Sequence, residues 1–241
     1  MRNLLVSLLL VGSFCSPCWA GASRDFASAS SQNIFIGDPS VLILNRDFTV
    51  MCWFKHTTTG ADDALISHGC GEWYLRIASS NKLDFLESNQ ADVLQGNTEI
   101  TSTTTWNHAT FTMSSGSTGT ITLWLNGVSD GSTTTTRTFD DNGNPIGVTI
   151  GSDTNCSSIY TEFFQGVISY GQIFNRELNK MEIQQAMYIP GSVSGLVGYW
   201  GLWGSNSPEI DLSGQGNSGT VNGATESSDG PPVMLSIGIV Q

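Results

Sequence analysis

Charge is scarce in this sequence, and basic charge is scarcest. Of 241 residues 12% are charged, with 9 Lys and Arg against 21 Asp and Glu, for a formal net charge of -12. A chain without Lys/Arg clusters cannot neutralise a row of phosphates, which excludes nucleic acid as a partner. Nor does it approach the half share of Ala, Glu, Lys, Leu and Arg that coiled coils and long helical arrays require. Beyond residue 22 there is no CxxC, and the three His are scattered, so a zinc site is excluded. What is abundant is Gly, with 27 residues, together with Ser, Thr and Asn, and there are 7 Trp. That bias suits many short strands joined by tight turns.

Long apolar runs are also missing, apart from the start. Arg2, the apolar run Leu4 to Phe14 and the small residues Ala20-Gly21-Ala22 form the three parts of an export signal. The run is shorter than the ~20 residues that cross a bilayer core, which disfavours an uncleaved anchor. We therefore expect residues 1–22 to be a signal peptide and 23–241 to be one exported domain, secreted or at the cell surface, with a virion surface as the alternative. Cys52, Cys70 and Cys156 then remain in a compartment that permits disulfides. Cys52 lies inside an apolar strand and reads as a small buried hydrophobe. Cys70 and Cys156 sit in turn-like segments and are expected to pair.

Period-two patterning dominates the rest. It runs through 33–36, 48–55, 73–77, 82–86, 106–113, 120–126, 148–150, 163–174 and 196–202, with turn clusters between. The spacing predicts an all-β fold, a two-sheet antiparallel β-sandwich. One short helix interrupts it. Asn179 as N-cap with Glu182 three residues on makes a capping box, Leu178 and Ile183 a hydrophobic staple, and Pro190-Gly191 a stop. The end, 226–241, is read as a tail or an added strand.

Alternation also assigns faces. Phe48, Val50, Cys52 and Phe54 point to one side of their strand, as do Ala109, Phe111 and Met113, and Ile121, Leu123 and Leu125. Those sets are the expected core. Trp53, Trp106 with His108, and Trp124 with Asn126 are left on the opposite faces. Two readings follow. On an open face these five residues form a sugar-stacking groove with polar orienting groups; on a face covered by the helix or loops they are packing. Calcium is the other candidate ligand, since Asp140, Asp141 and Asn142 cluster around a Gly turn and Asp211 stands beside Ser213 and Asn217. The alternative is that these are turns satisfying their own backbone.

The ordered pieces Phe48-Thr49-Val50-Met51-Cys52-Trp53-Phe54-Lys55, Trp106-Asn107-His108-Ala109, Leu123-Trp124-Leu125-Asn126-Gly127, Ile150-Gly151, Phe164-Gln165-Gly166 and Gly195-Leu196-Val197-Gly198-Tyr199-Trp200 resemble a laminin G-like jelly roll of the concanavalin A-like superfamily. Two features depart from that pattern. Ser169-Tyr170 stands where an Asp-Glu pair usually follows, and the Tyr-Trp strand comes last, as in bacterial surface and phage structural members. The resemblance implies a jelly roll and a non-catalytic module that recognises glycan or surface protein, with calcium at a rim in many relatives. It leaves open a structural or decorating subunit of a surface assembly or virion, whose partner is a second copy of itself or a virion protein. Some relatives are glycoside hydrolases with Glu-x-Asp-x-x-Glu on one strand. The nearest match, Glu209-Ile210-Asp211, ends in Gly214 at the third position, so no catalytic residue is assigned.

Overall fold

A computed structural model describes residues 22–45, 47–70, 72–86, 93–114, 118–136, 139, 146–204 and 207–233. In chain order the first strands are β1 (Ser23–Phe26), β2 (Asn33–Gly37), β3 (Phe48–His56), β4 (Asp63–His68), β5 (Trp73–Ile77) and β6 (Lys82–Leu86). There follow β7 (Leu94–Glu99), β8 (Asn107–Met113), β9 (Gly119–Leu125), β10 (Val128–Thr135), β11 (Val148–Ile150), β12 (Asp153–Thr154) and β13 (Tyr160–Thr161). The rest are β14 (Gly166–Phe174), helix α1 (Lys180–Tyr188), β15 (Leu196–Trp200), β16 (Thr220–Asn222) and β17 (Thr225–Ser227).

These strands make two antiparallel sheets. One runs β10-β9-β8-β3-β14-β1-β17, with β15 also pairing with β14; the other runs β16-β2-β11-β4-β5-β6-β7. The alternation read from sequence decides what lies between them. Phe48, Val50, Cys52, Phe54, Ala109, Phe111, Met113, Ile121 and Leu123 are all fully buried in the inter-sheet core, and Leu125 packs partly against it. There Phe111 sits edge-on to Phe48 at 5.4 Å and to Phe85 at 4.7 Å between centroids. Each such buried side chain contributes about 1.5–3 kcal/mol of transfer free energy. Burial pushes the Cys52 thiol far up, which keeps it protonated.

Helix α1 starts where its cap dictates. Asn179 Oδ1 accepts from the Met181 and Glu182 backbone N–H groups at 2.9 and 3.1 Å, and Glu182 Oε2 accepts from the Asn179 N–H at 3.0 Å. The staple residues Leu178 and Ile183 are buried together with Met51, Phe174 and Ala186. The helix thus lies across the outer face of the first sheet, where Gln172 Nε2 donates to the Ala186 carbonyl at 3.3 Å. No helix among the described residues is long and apolar enough to cross a membrane. Near the end β17 pairs with β1; the expected signal peptide, but for residue 22, and residues 234–241 of the expected tail or added strand lie outside the described residues.

A disulfide joins Cys70 to Cys156 across 86 residues. It ties the β4–β5 turn to the segment carrying the β12–β13 hairpin, which lies over the outer face of the second sheet.

Candidate functional site

The outer face of the first sheet is not the open groove that its tryptophans suggest. Trp53 is 4% exposed, and its Nε1 donates to the Met187 carbonyl of α1 at 2.9 Å. His108 is fully buried beside it, and burial pushes its imidazole down to about 3. Trp106 is half-buried and donates to Asp229 Oδ1 at 3.0 Å, while Lys55 lies over its ring and pairs with the same carboxylate. Trp124 is half-buried against the helix cluster and donates to Thr112 Oγ1 at 3.2 Å. Helix α1 and the segment around Asp229 and Val233 cover this face, so Trp53 and His108 are corrected from ligand contacts to packing. Of the five, Asn126 lines an accessible concavity.

That concavity is a cleft at the rim of the sandwich, of about 220 Å³, where β7 of one sheet meets the β9–β10 turn of the other. The turn is Asn126-Gly127. Both residues have positive φ, 52° and 73°, the combination a two-residue hairpin of type I′ demands and the reason Asn-Gly serves there. The geometry folds the Asn126 side chain back over β8. Its Oδ1 accepts from the His108 backbone N–H at 2.8 Å, its Nδ2 donates to Asn107 Oδ1 at 3.1 Å, and Asn107 Nδ2 donates to the Thr105 carbonyl at 3.1 Å. Ser102 and Thr105 share a hydroxyl bond of 2.8 Å on the facing wall, with Thr98 and Glu99 beside them. The polar part of the lining is hydroxyl and carboxamide, both donor and acceptor, with one carboxylate and no basic group, and Ile100 and Leu125 add apolar surface beside it. Such a surface matches a neutral, polyhydroxylated ligand. Beneath it His56 is buried, and burial holds its imidazole below the ordinary histidine range, with the Ser102 backbone pulling the other way.

Sequence reasoning pointed to Asn126 and not to the wall that faces it. The run Thr101-Ser102-Thr103-Thr104-Thr105 has no periodicity, and its only signal is a hydroxyl-rich loop immediately before a strand.

The acidic groups are committed to structure. Asp211 Oδ1 accepts from the Tyr199 and Ser213 N–H groups at 3.0 and 2.9 Å, and its Oδ2 from the Asn217 N–H at 2.9 Å. These bonds make it the clamp of its own loop, as the turn reading of that aspartate expects. Asp140, Asp141 and Asn142 lie outside the described residues, among which no group of three or more His, Cys, Asp or Glu is placed to hold a metal ion. Glu209 is buried against Arg24, with Oε2 accepting from Nε at 3.0 Å and Nη2 at 2.9 Å. Burial pushes the Glu209 carboxyl up and Arg24 opposes the shift.

On the outer face of the second sheet Arg76 donates to Asp84 at 3.0 and 2.9 Å and to Glu162 at 3.0 Å. Arg76 and Asp84 stand directly opposite each other across the β5–β6 hairpin, a pairing that cross-strand charge complementarity makes readable. Nearby Asp63 is pushed up to about 6 by burial and by the charges of Asp62 and Glu162. The segment Gly127-Val128-Ser129-Asp130-Gly131 has the Gly-x-Ser-x-Gly spacing of a nucleophile elbow, but it runs along hairpin strand β10 instead of a strand-to-helix turn.

Solved structures with this architecture are distant in sequence. A proposed carbohydrate-binding protein of Bacteroides ovatus superposes with a TM-score of 0.72 at 18% identity, covering 89% of this chain and 61% of that one. This chain thus spans about three fifths of that structure's length. A heptameric SAP-like pentraxin of Limulus polyphemus gives 0.53 at 15% identity, with 69% and 82% of the two chains covered. The CBM40 of the Ruminococcus gnavus IT-sialidase, bound to sialyllactose, gives 0.52 at 15% identity, with 64% and 92% covered. Among curated proteins none matches the sequence. A family model described as the Concanavalin A-like lectin/glucanases superfamily matches residues 28–184.

Proposed function

The chain belongs to the concanavalin A-like lectin/glucanase superfamily, and we propose that it is an exported, non-catalytic module whose rim cleft binds a neutral glycan. The observation that carries this reading is the Asn126–Asn107 pair, whose carboxamides are already oriented by the backbone and by each other before a ligand arrives. Pre-orientation lowers the ordering cost of binding, which matters in a shallow site. Two fold neighbours are named for carbohydrate binding, which supports the ligand class.

Charge narrows it. With a net charge of -12 and no base in the lining, an acidic sugar meets repulsion without a partner. The non-catalytic part of the proposal draws on the carboxylates. Glycoside hydrolysis needs two that flank one bond, whereas Glu99 is the one acid lining the cleft among the described residues, and Glu209 and Asp84 are held by Arg24 and Arg76.

The test is a glycan array followed by calorimetry on Asn126→Gly and Ser102→Ala. Glycine keeps the turn while deleting the carboxamide. Binding of a neutral oligosaccharide that weakens about tenfold in each variant, or about 1.4 kcal/mol, is the expected result. Wild-type protein that captures no glycan, or variants that bind as well as it does, would end the proposal.

A further inference from the structure

After β15 the chain runs Gly201-Leu202-Trp203-Gly204. Leu202 adopts a positive φ of 59° while its side chain is fully buried, and its N–H donates to Glu209 Oε1 at 3.0 Å. This reversal turns Trp203 outward. Its ring lies on the Gly201 backbone, where an added Cβ would come within 2.6 Å of it, and stands edge-on to Tyr170 with centroids 5.3 Å apart. The ring is anchored on its inner side and open on the other.

The facing wall inverts the usual pattern. In Glu209-Ile210-Asp211-Leu212 the two acids point in and the two aliphatic residues point out, with Ile210 48% and Leu212 46% exposed and Trp203 37%. Glu209 is fixed inside by Arg24 and by paired backbone bonds with Gly219 at 2.8 Å, and Asp211 by the three N–H groups it accepts. Alternation then forces Ile210 and Leu212 to the surface. Among the described residues seven large apolar side chains are exposed, and three of them converge here. A sequence that buries carboxylates in order to display aliphatics breaks a local rule, and such breaks concentrate at functional sites.

Between Trp203, Ile210 and Leu212 is a notch of about 50 Å³, with Gly201 and Glu209 completing its lining, so that it has an apolar wall and a polar one. At 10–15 Å³ per water-sized group this admits roughly four heavy atoms. An acetamido substituent has that size, and its methyl suits an apolar wall. The broad face of Trp203 suits the C–H face of the sugar ring that carries it. An acidic sugar is disfavoured, because the nearby cation, Arg24, is sealed against Glu209.

We propose that Trp203, Ile210 and Leu212 form a second contact, separate from the rim cleft, for a neutral N-acetylated sugar, with the ring on Trp203 and the acetamido group in the notch. The inference shares with the proposed function only the ligand class. Its test is calorimetry or saturation-transfer NMR of the full chain with N,N′-diacetylchitobiose, cellobiose and sialyllactose, on wild type, Trp203→Ala, Ile210→Ser and Asn126→Gly. Diacetylchitobiose should bind at least tenfold more tightly than cellobiose and sialyllactose, and should lose at least tenfold in Trp203→Ala and Ile210→Ser, a larger loss than in Asn126→Gly. Equal affinity for cellobiose removes the acetamido assignment, and tighter sialyllactose removes the selection for neutral sugars. Loss in Asn126→Gly with none in the other two leaves the rim cleft standing and this contact refuted; no binding of diacetylchitobiose refutes it as well.

Discussion

His108 stands edge-on to Trp53 with ring centroids 5.1 Å apart, and α1 seals both from water. The outward face of β3 and β8 is therefore a second interior, built from residues that alternation alone assigns to the surface. A histidine confined there answers to pH through stability.

Acid should destabilise the protein through His108. Its pKa falls from 6.5 to about 3 on folding, so the unfolded chain takes up a proton that the native state refuses. The stability is complete above pH 6.5 and is lost as pH falls through the window toward 3, at about 1.4 kcal/mol per unit, or roughly 3 kcal/mol by pH 4. Urea unfolding of wild type and His108→Gln at pH 4, 5 and 6.5 should give curves that converge in acid. Parallel curves would show that the ring is not titrating as its burial requires.

Asp63 works in the opposite direction. Folding raises its pKa from 3.8 to about 6, so its contribution is present below pH 4 and disappears as pH rises to 6. Asp63→Asn should be more stable than wild type at pH 7.5 and should lose that advantage near pH 4, measured as melting temperature. A variant that is less stable at pH 7.5 contradicts this.

Trp53→Ala should cost about 3–5 kcal/mol, as for other buried aromatic truncations. It also leaves the Met187 carbonyl without its donor, so amides of α1 should exchange faster with deuterium than those of β8. Glycan affinity at the rim should stay within twofold where the variant is folded.

Replacing Cys70 and Cys156 together by Ser should lower the unfolding free energy by about 2–5 kcal/mol, given the 86-residue loop they close. Denaturant titration with and without reductant checks it. Reductant should act on wild type and leave the double variant unchanged.

Glu209→Gln should be severe, about 3 kcal/mol or more, since it strands the Arg24 guanidinium in a buried site. Changing both partners, Arg24→Met with Glu209→Leu, should cost less than either single change. Equal or additive losses would mean that the charges are not coupled.

The inter-sheet core was legible because β3, β8 and β9 obey strict alternation, and the helix because Asn179 and Glu182 announce it. Strand β4 was not. A bulge between Ala64 and Ile66 buries Leu65 and Ile66 side by side, so all six residues are buried and no period survives. Strands β7 and β10 are polar, Gly-containing edges, and β16 and β17 have three residues each. At the site, Asn126 was visible through its Asn-Gly turn. What covers Trp53 was not, because a strand's pattern distinguishes two faces but does not say what docks on the second. The inverted wall at Ile210 and Leu212 was hidden for a related reason, since its order depends on backbone partners as distant as Arg24 and Gly219.

Strand β1 lies between β14 and β17, so that Arg24 pairs with Ile168 on one side and Glu226 on the other. During synthesis β1 must therefore wait, unsatisfied, until β14 and β17 have followed it out of the ribosome. Closure of that sheet is a late, long-range event, and a chaperone that shields 23–26 in the interval would protect the nascent chain from pairing with its neighbours.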